Sequence, residues 1–168
     1  MNTSIAFVVT AFLSLGLQAK DKEYVEYTWW AAHKPGSWVK LKMETEAAGQ
    51  KIVVEATHTL LEVSPEKAVV ERKTKVTAAG VEQPGETEKE ELAKDKDKDP
   101  IKIEKEGDEE IEVNGKKMPC HWIQGTQKDA KVKFWLSKEI PGGIAKGEAS
   151  GGEIPGVLKI SAAGWEKK

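Results

Sequence analysis

Cysteine and arginine are almost missing from this 168-residue chain, with Cys120 and Arg72 the single example of each. One cysteine excludes an intramolecular disulfide and a cysteine-rich structural zinc site. One arginine excludes recognition of phosphate or carboxylate by an arginine cluster. Charge of one sign is also lacking. The 26 Lys+Arg against 28 Asp+Glu leave −2, too balanced for a nucleic-acid-binding surface or an acidic tail. No HExxH, GxSxG, phosphate-loop or dinucleotide pattern occurs. His33, His58 and His121 share no ligand spacing, and residues 106–112 are acidic without the spacing of a calcium loop. No catalytic residue, metal site or cofactor is assigned, and the chain reads as non-enzymatic. The three histidines receive no role from sequence.

Long apolar runs are absent after residue 19. Residues 1–19 carry no charged side chain, and residues 5–17 are mostly apolar. That length suits the hydrophobic region of a secretory signal peptide better than a spanning helix, which needs about 20 apolar residues. Leu17 and Ala19 would stand at the −3 and −1 positions of a cleavage site. The expectation is a signal peptide over 1–19 and a single β domain over 20–168, periplasmic or secreted, with no transmembrane segment once the signal is removed.

What the remainder has is turns. Glycine and proline recur at short intervals, as in Lys34-Pro35-Gly36, Gln83-Pro84-Gly85, Asn114-Gly115 and Pro141-Gly142-Gly143, and leave little room for long helices. Gly142-Gly143 and Gly151-Gly152 read as turn glycines rather than a phosphate cradle. Between turns the pattern alternates with period two. Val39, Leu41 and Met43 share one face of a strand, and Lys40, Lys42 and Glu44 the other. The apolar phase of Ile52, Val54 and Ala56 slips near Leu60 and Leu61, which predicts a bulge between Thr57 and Leu61. Asn114-Gly115 between two alternating runs is the strongest hairpin signal. Segment 86–99 is almost wholly charged and reads as a solvated connection with strand fragments, an edge strand or short helix being the alternatives. The fold class is mainly β: one antiparallel, strongly curled sheet, a half-barrel or open barrel, of about seven to ten strands with little helix.

Six tryptophans are many for a chain with two tyrosines and three phenylalanines. Trp29 and Trp30 face opposite sides if the chain there is extended. Trp30, before a loop, and Trp135, in phase with Lys131 and Lys133, are the ones expected to be partly exposed. Cys120-His121 is no nucleophile–base pair, because neighbours on a strand project to opposite faces. Cys120 shares a phase with Met118 and Trp122 and reads as a packed thiol.

The most specific stretch is Trp135-x-Ser137-x-x-x-Pro141-Gly142-Gly143-x-x-Lys146. It resembles a pattern in uncharacterised secreted bacterial β-proteins, similar in outline to the lipoprotein localisation factors (LolA/LolB-like). The resemblance implies an antiparallel sheet curled into a half-barrel around an apolar cavity, although no helical lid is legible. The function it implies is binding of a lipid or acyl chain on a concave face, for which Leu41, Met43, Val54, Val70, Met118, Trp122, Phe134 and Leu136 are the candidate lining. The competing reading is a structural or interaction module of the cell envelope with a protein partner and no small ligand. The two differ in space: a carrier leaves a cavity of about 300 Å³ or more, whereas a core fills it.

Overall fold

The computed structural model describes residues 18–19, 25–94 and 100–168. The signal-peptide reading therefore falls almost wholly outside the described residues, as does the 95–99 part of the charged segment. Alternating runs become strands wherever the sequence alternates: β2 (Trp38–Ala47), β3 (Gln50–Val63), β4 (Lys67–Ala78), β8 (Lys116–Gln127), β9 (Ala130–Leu136), β10 (Ile144–Gly151) and β11 (Ile154–Glu166). The rest are β1 (Gln18–Ala19), β5 (Val81–Gln83), β6 (Thr87–Ala93) and β7 (Pro100–Val113). The only described helix is the six-residue α1 (Glu26–Ala31). No described helix is long and apolar enough to cross a membrane.

One sheet holds every strand, in the order β7-β8-β9-β10-β11-β2-β3-β4, each antiparallel to the next. At one end β4 pairs with both β5 and β6; at the other β7 pairs in parallel with β1 at Pro100 and Ile101. The two ends do not pair with each other, so the curled sheet stays open, as expected. Most of the charged segment is an edge strand rather than a connection. Thr87–Ala93 pairs with β4 from Lys67 to Lys73 and buries Leu92 against it. Asn114 and Gly115, at φ 50° and 75°, form the tight turn between β7 and β8. Two positive φ values in succession are what the hairpin twist requires. The slip in β3 is real and lies between Leu60 and Glu62.

Cross-strand register defines an inner face. Phe134 pairs with Gly147, Gly147 with Ile160, Ile160 with Met43, Met43 with Val54, and Val54 with Val76. These residues form the larger apolar cluster, which Trp29 joins from α1. Gly147 is glycine because Phe134 covers it: an added Cβ would lie 2.7 Å from that ring.

The concavity is filled by the chain itself. Helix α1 places Trp29 and Trp30 together, correcting both the extended reading of this pair and the expected exposure of Trp30, which is 1% exposed. Both rings rest on the turn after β9. A Cβ on Gly142 would lie 2.8 Å from the Trp30 ring, and one on Gly143 would lie 2.6 Å from Trp29. Both glycines also hold positive φ, 76° and 83°. The Pro-Gly-Gly motif is therefore a bare patch of backbone on which two indoles lie, and the Ser137 N–H to Gly143 carbonyl bond of 2.8 Å closes the turn.

Gly142→Ala and Gly143→Ala should each lower the unfolding free energy by about 1–3 kcal/mol through ring overlap, beyond the backbone cost. Gly49→Ala, with φ 74° and open space around it, isolates the backbone cost alone. Urea denaturation followed by tryptophan emission measures all three; equal losses would show that the indole contact contributes nothing.

Candidate functional site

Of the eight residues expected to line a concave face, six share the inner face: Leu41, Met43, Val54, Val70, Phe134 and Leu136 are all 5% exposed or less. Met118 and Trp122 do not. Ile123 pairs with inward Phe134, so Trp122, which pairs with Trp135, projects to the opposite face with Met118 and Cys120. The error arises because β8 runs past the end of β9 at Leu136, and the free hairpin buries its other phase. Met118 and Cys120 nonetheless belong to the second apolar cluster, together with Trp30, Leu41 and Val70 and with the partly buried Ile111, Trp135 and Trp165. Trp135 is half-buried on this outer face, donates its indole N–H to Glu109, and shares Lys133 with Trp122, the ammonium lying 4.4 and 4.8 Å from the two ring centroids. Of the motif residues, Ser137 is buried and donates no chemistry beyond its turn, its Oγ accepting from the Glu139 N–H at 3.3 Å. Lys146 points outward beside Trp135.

The inner face carries a charge that the sequence reading passed over. Arg72 sits on the buried phase of β4, between Val70 and Thr74, and is 5% exposed. Its Nη2 donates to Glu26 Oε1 of α1 at 2.7 Å, and its Nη1 pairs with Glu90 of β6. Burial would lower the guanidinium pKa, but Glu26 and Glu90 outweigh it and the net shift is upward. His58 lies directly across from Arg72 on β3. Its Nε2 is sealed from solvent with no hydrogen-bond partner among the described residues. Burial, then the neighbouring Arg72 charge, depress its pKa to about 3, so it stays neutral. Glu26, Trp30, His58, Arg72 and Gly142 border a cavity of about 40 Å³. That holds a few waters at most and is far below the volume of an acyl-chain site.

Two larger spaces are lined by described residues, the first of them bordered by Trp29 and Leu136 of the inner cluster. A cleft of about 530 Å³ opens between α1, the β7–β8 hairpin and the turn after β9, lined by Trp29, Asp108, Glu109, His121 and Lys138 among others. His121 bridges Asp108 through Nδ1 at 2.8 Å and Glu106 through Nε2 at 3.3 Å. Burial works to lower its pKa, but the bonds to the two carboxylates overcome this and raise it. Cys120 also borders the cleft, yet is 3% exposed, and burial and Glu109 push its thiol up to about 11. A protonated, buried thiol is no nucleophile at neutral pH. A groove of about 430 Å³ runs on the outer face between Glu109 and Ile111 of the hairpin and Glu44, Lys146, Glu148 and Lys159. No metal-ligating cluster occurs among the described residues.

No protein-family model matches this chain, and no curated protein does. A crystal structure of MucB in complex with MucA(peri) superposes with a TM-score of 0.40 at 14% identity, covering 84% of this chain and 55% of that one. The chain thus spans about half the length of that neighbour. Likeness at this level assigns neither family nor function.

Arg72→Ala should cost about 3–5 kcal/mol of stability, because it strands the buried Glu26 carboxylate. A combined Arg72→Met and Glu26→Leu variant should recover much of that loss in urea denaturation. Acid should expose His58. The unfolded chain takes a proton on this ring near pH 6.5, the folded chain only near pH 3, so the unfolded state binds more protons between those values and stability falls as pH falls through the window. The loss is on the order of 4 kcal/mol. His58→Gln should flatten the pH profile of unfolding in that range, and an unchanged slope would remove His58 from the account. Bulky thiol reagents should label native Cys120 far more slowly than denatured protein at pH 7.

Proposed function

We propose that this chain is a non-enzymatic module of the cell envelope that holds another protein, and that its half-barrel is a scaffold rather than a lipid carrier. One observation carries the choice. Trp29 and Trp30 are buried in the two apolar clusters of the concave face, and the cavity left beside Trp30 among the described residues measures about 40 Å³. Two indoles seated on a glycine turn and tied down by a buried ion pair make a packed core. Larger open volumes flank the β7–β8 hairpin, in the cleft beside Trp29 and in the groove on the outer face. Both are lined by charged side chains as well as aromatic ones, which is the chemistry of a polar protein contact rather than of a greasy chain. Export to the periplasm or beyond is part of the proposal and rests on the apolar, uncharged run at residues 1–19.

Titration with a fluorescent fatty acid should show no saturable binding, and native mass spectrometry of protein purified from its own host should show a bound protein and no lipid. Saturable acyl binding quenching tryptophan emission, with a lipid retained on purification, would restore the carrier reading.

A further inference from the structure

The outer face of the sheet divides into two halves by the fate of its lysines. On β2, β3 and β4 each outward lysine meets a carboxylate. Lys40 pairs with Glu55 at 3.0 Å, Lys42 and Lys51 meet Glu44 at 3.2 and 2.7 Å, and Lys75 meets Glu82 at 2.7 Å. On β7, β9, β10 and β11 none does. Lys102, Lys105, Lys131, Lys133, Lys146 and Lys159 form no ion pair with a described carboxylate. Register places them on one face. Lys105 pairs with Gln124, Gln124 with Lys133, Lys133 with Glu148 and Glu148 with Lys159, while Thr126 joins Lys102 to Lys131. Three glutamates stand among these six lysines: Glu148, Glu104 at the bulge of β7, and Glu109, which accepts the Trp135 N–H. Six against three leaves a positive excess on one face of a chain whose net charge is −2.

A second feature lies in the same half. The groove of about 430 Å³ runs along Lys146 and Lys159, with Trp135 and Ile111 as its apolar lining. The indoles here lie down on the sheet. An added Cβ on Gly107 would be 2.9 Å from the Trp122 indole nitrogen, and the Lys133 ammonium caps both Trp122 and Trp135. Rings held in this way do not insert into a bilayer. The face is also the convex side of the curled sheet, so a flat membrane meets it along a line, whereas a narrow chain follows the groove.

We infer that the outer face of β7 and β9–β11 receives an acidic, extended segment of a partner protein, with carboxylates on the unpaired lysines and an apolar side chain between Trp135 and Ile111. The inference rests on the protein-binding reading and specifies its face and the partner's chemistry. Charge complementarity carries it: the sheet supplies its own counter-charge on one half and leaves the other half to a partner. Spacing agrees. An extended chain repeats its side chains on one face about every 7 Å, and Lys131 and Lys133 stand at that repeat on β9. The alternative is that these lysines serve solubility alone, and it predicts no binding of any segment.

The test uses a capped octapeptide of alternating glutamate and valine, with alternating lysine and valine as control. Vesicles of equal phosphatidylglycerol and phosphatidylcholine serve as the membrane probe. Calorimetry should show saturable binding of the glutamate peptide alone, weakening as salt rises. Carbodiimide cross-linking should join its carboxylates to Lys131, Lys133, Lys146 or Lys159. The double variant Lys146→Gln, Lys159→Gln, its fold checked by circular dichroism, should bind about tenfold more weakly or worse. Lys75→Gln, in the self-neutralised half, should bind as wild type does. Binding of neither peptide, equal binding of both, full binding by the double variant, or vesicle binding without peptide binding would overturn the inference. A protein partner that binds wild type and double variant equally would sink this face while leaving the protein-binding reading in place. Acyl binding with no protein partner would sink the reading beneath it.

Discussion

The buried guanidinium of Arg72 is the constraint around which this small half-barrel is arranged. It is the single arginine of the chain, it lies on the inward phase of β4, the long strand next to one edge of the sheet, and it is held by a carboxylate from α1 and another from the edge strand β6. Removing a cation from water costs several kcal/mol, and only close, hydrogen-bonded partners repay it. Glu26 can supply its half only if α1 sits in the concavity, and Glu90 only if the charged segment 87–93 lies against β4. The ion pair therefore fixes two elements that their own sequences barely specify. Helix α1 has six residues and no side-chain cap at its start, too little to persist alone. Strand β6 offers one buried apolar side chain, Leu92.

The same arrangement decides what the concave face can be. An open curled sheet with an apolar lining is equally suited to a ligand or to a plug. Here Trp29 and Trp30 are the plug, and Gly142 and Gly143 are the surface cut to receive them. The motif that resembles the half-barrel carriers thus has a packing role in this chain. Tyr27, on the same helix, adds a 2.6 Å bond from its hydroxyl to the Ser64 carbonyl, pinning α1 to the turn between β3 and β4. Helix, turn and sheet end are one unit, and the free surface is pushed outward to the hairpin.

Much of the sheet was legible because alternation is a local signal. Val39, Leu41, Met43, Val54, Val70, Phe134 and Leu136 stand at spacings that only a half-buried strand explains, and Asn114-Gly115 names its own turn. The misreadings all involve partners distant in sequence. Trp29 and Trp30 look like an extended pair until Pro141-Gly142-Gly143, over a hundred residues away, is brought beneath them. Met118 and Trp122 keep the strand period, but which phase is inward depends on Phe134 and on β9 ending at Leu136. Segment 87–93 is paired by β4, not by its own composition.

One signal was present and unread. His58 and Arg72 occupy apolar-phase positions of β3 and β4, where period two calls for a hydrophobe, and each is flanked at i±2 by residues that obey the pattern. A polar residue on the buried phase of one strand is often a fault in the reading; on adjacent strands, two such residues predict each other as cross-strand neighbours. Their meeting demands counter-charge from outside β3 and β4, because their same-face neighbours at i±2, Ala56, Leu60, Val70 and Thr74, carry none. An acidic helix or edge strand must then lie over the sheet. Glu26 and the glutamates of β6 are the residues that meet this demand. The interior of this half-barrel is therefore closed by a buried ion pair as much as by apolar packing.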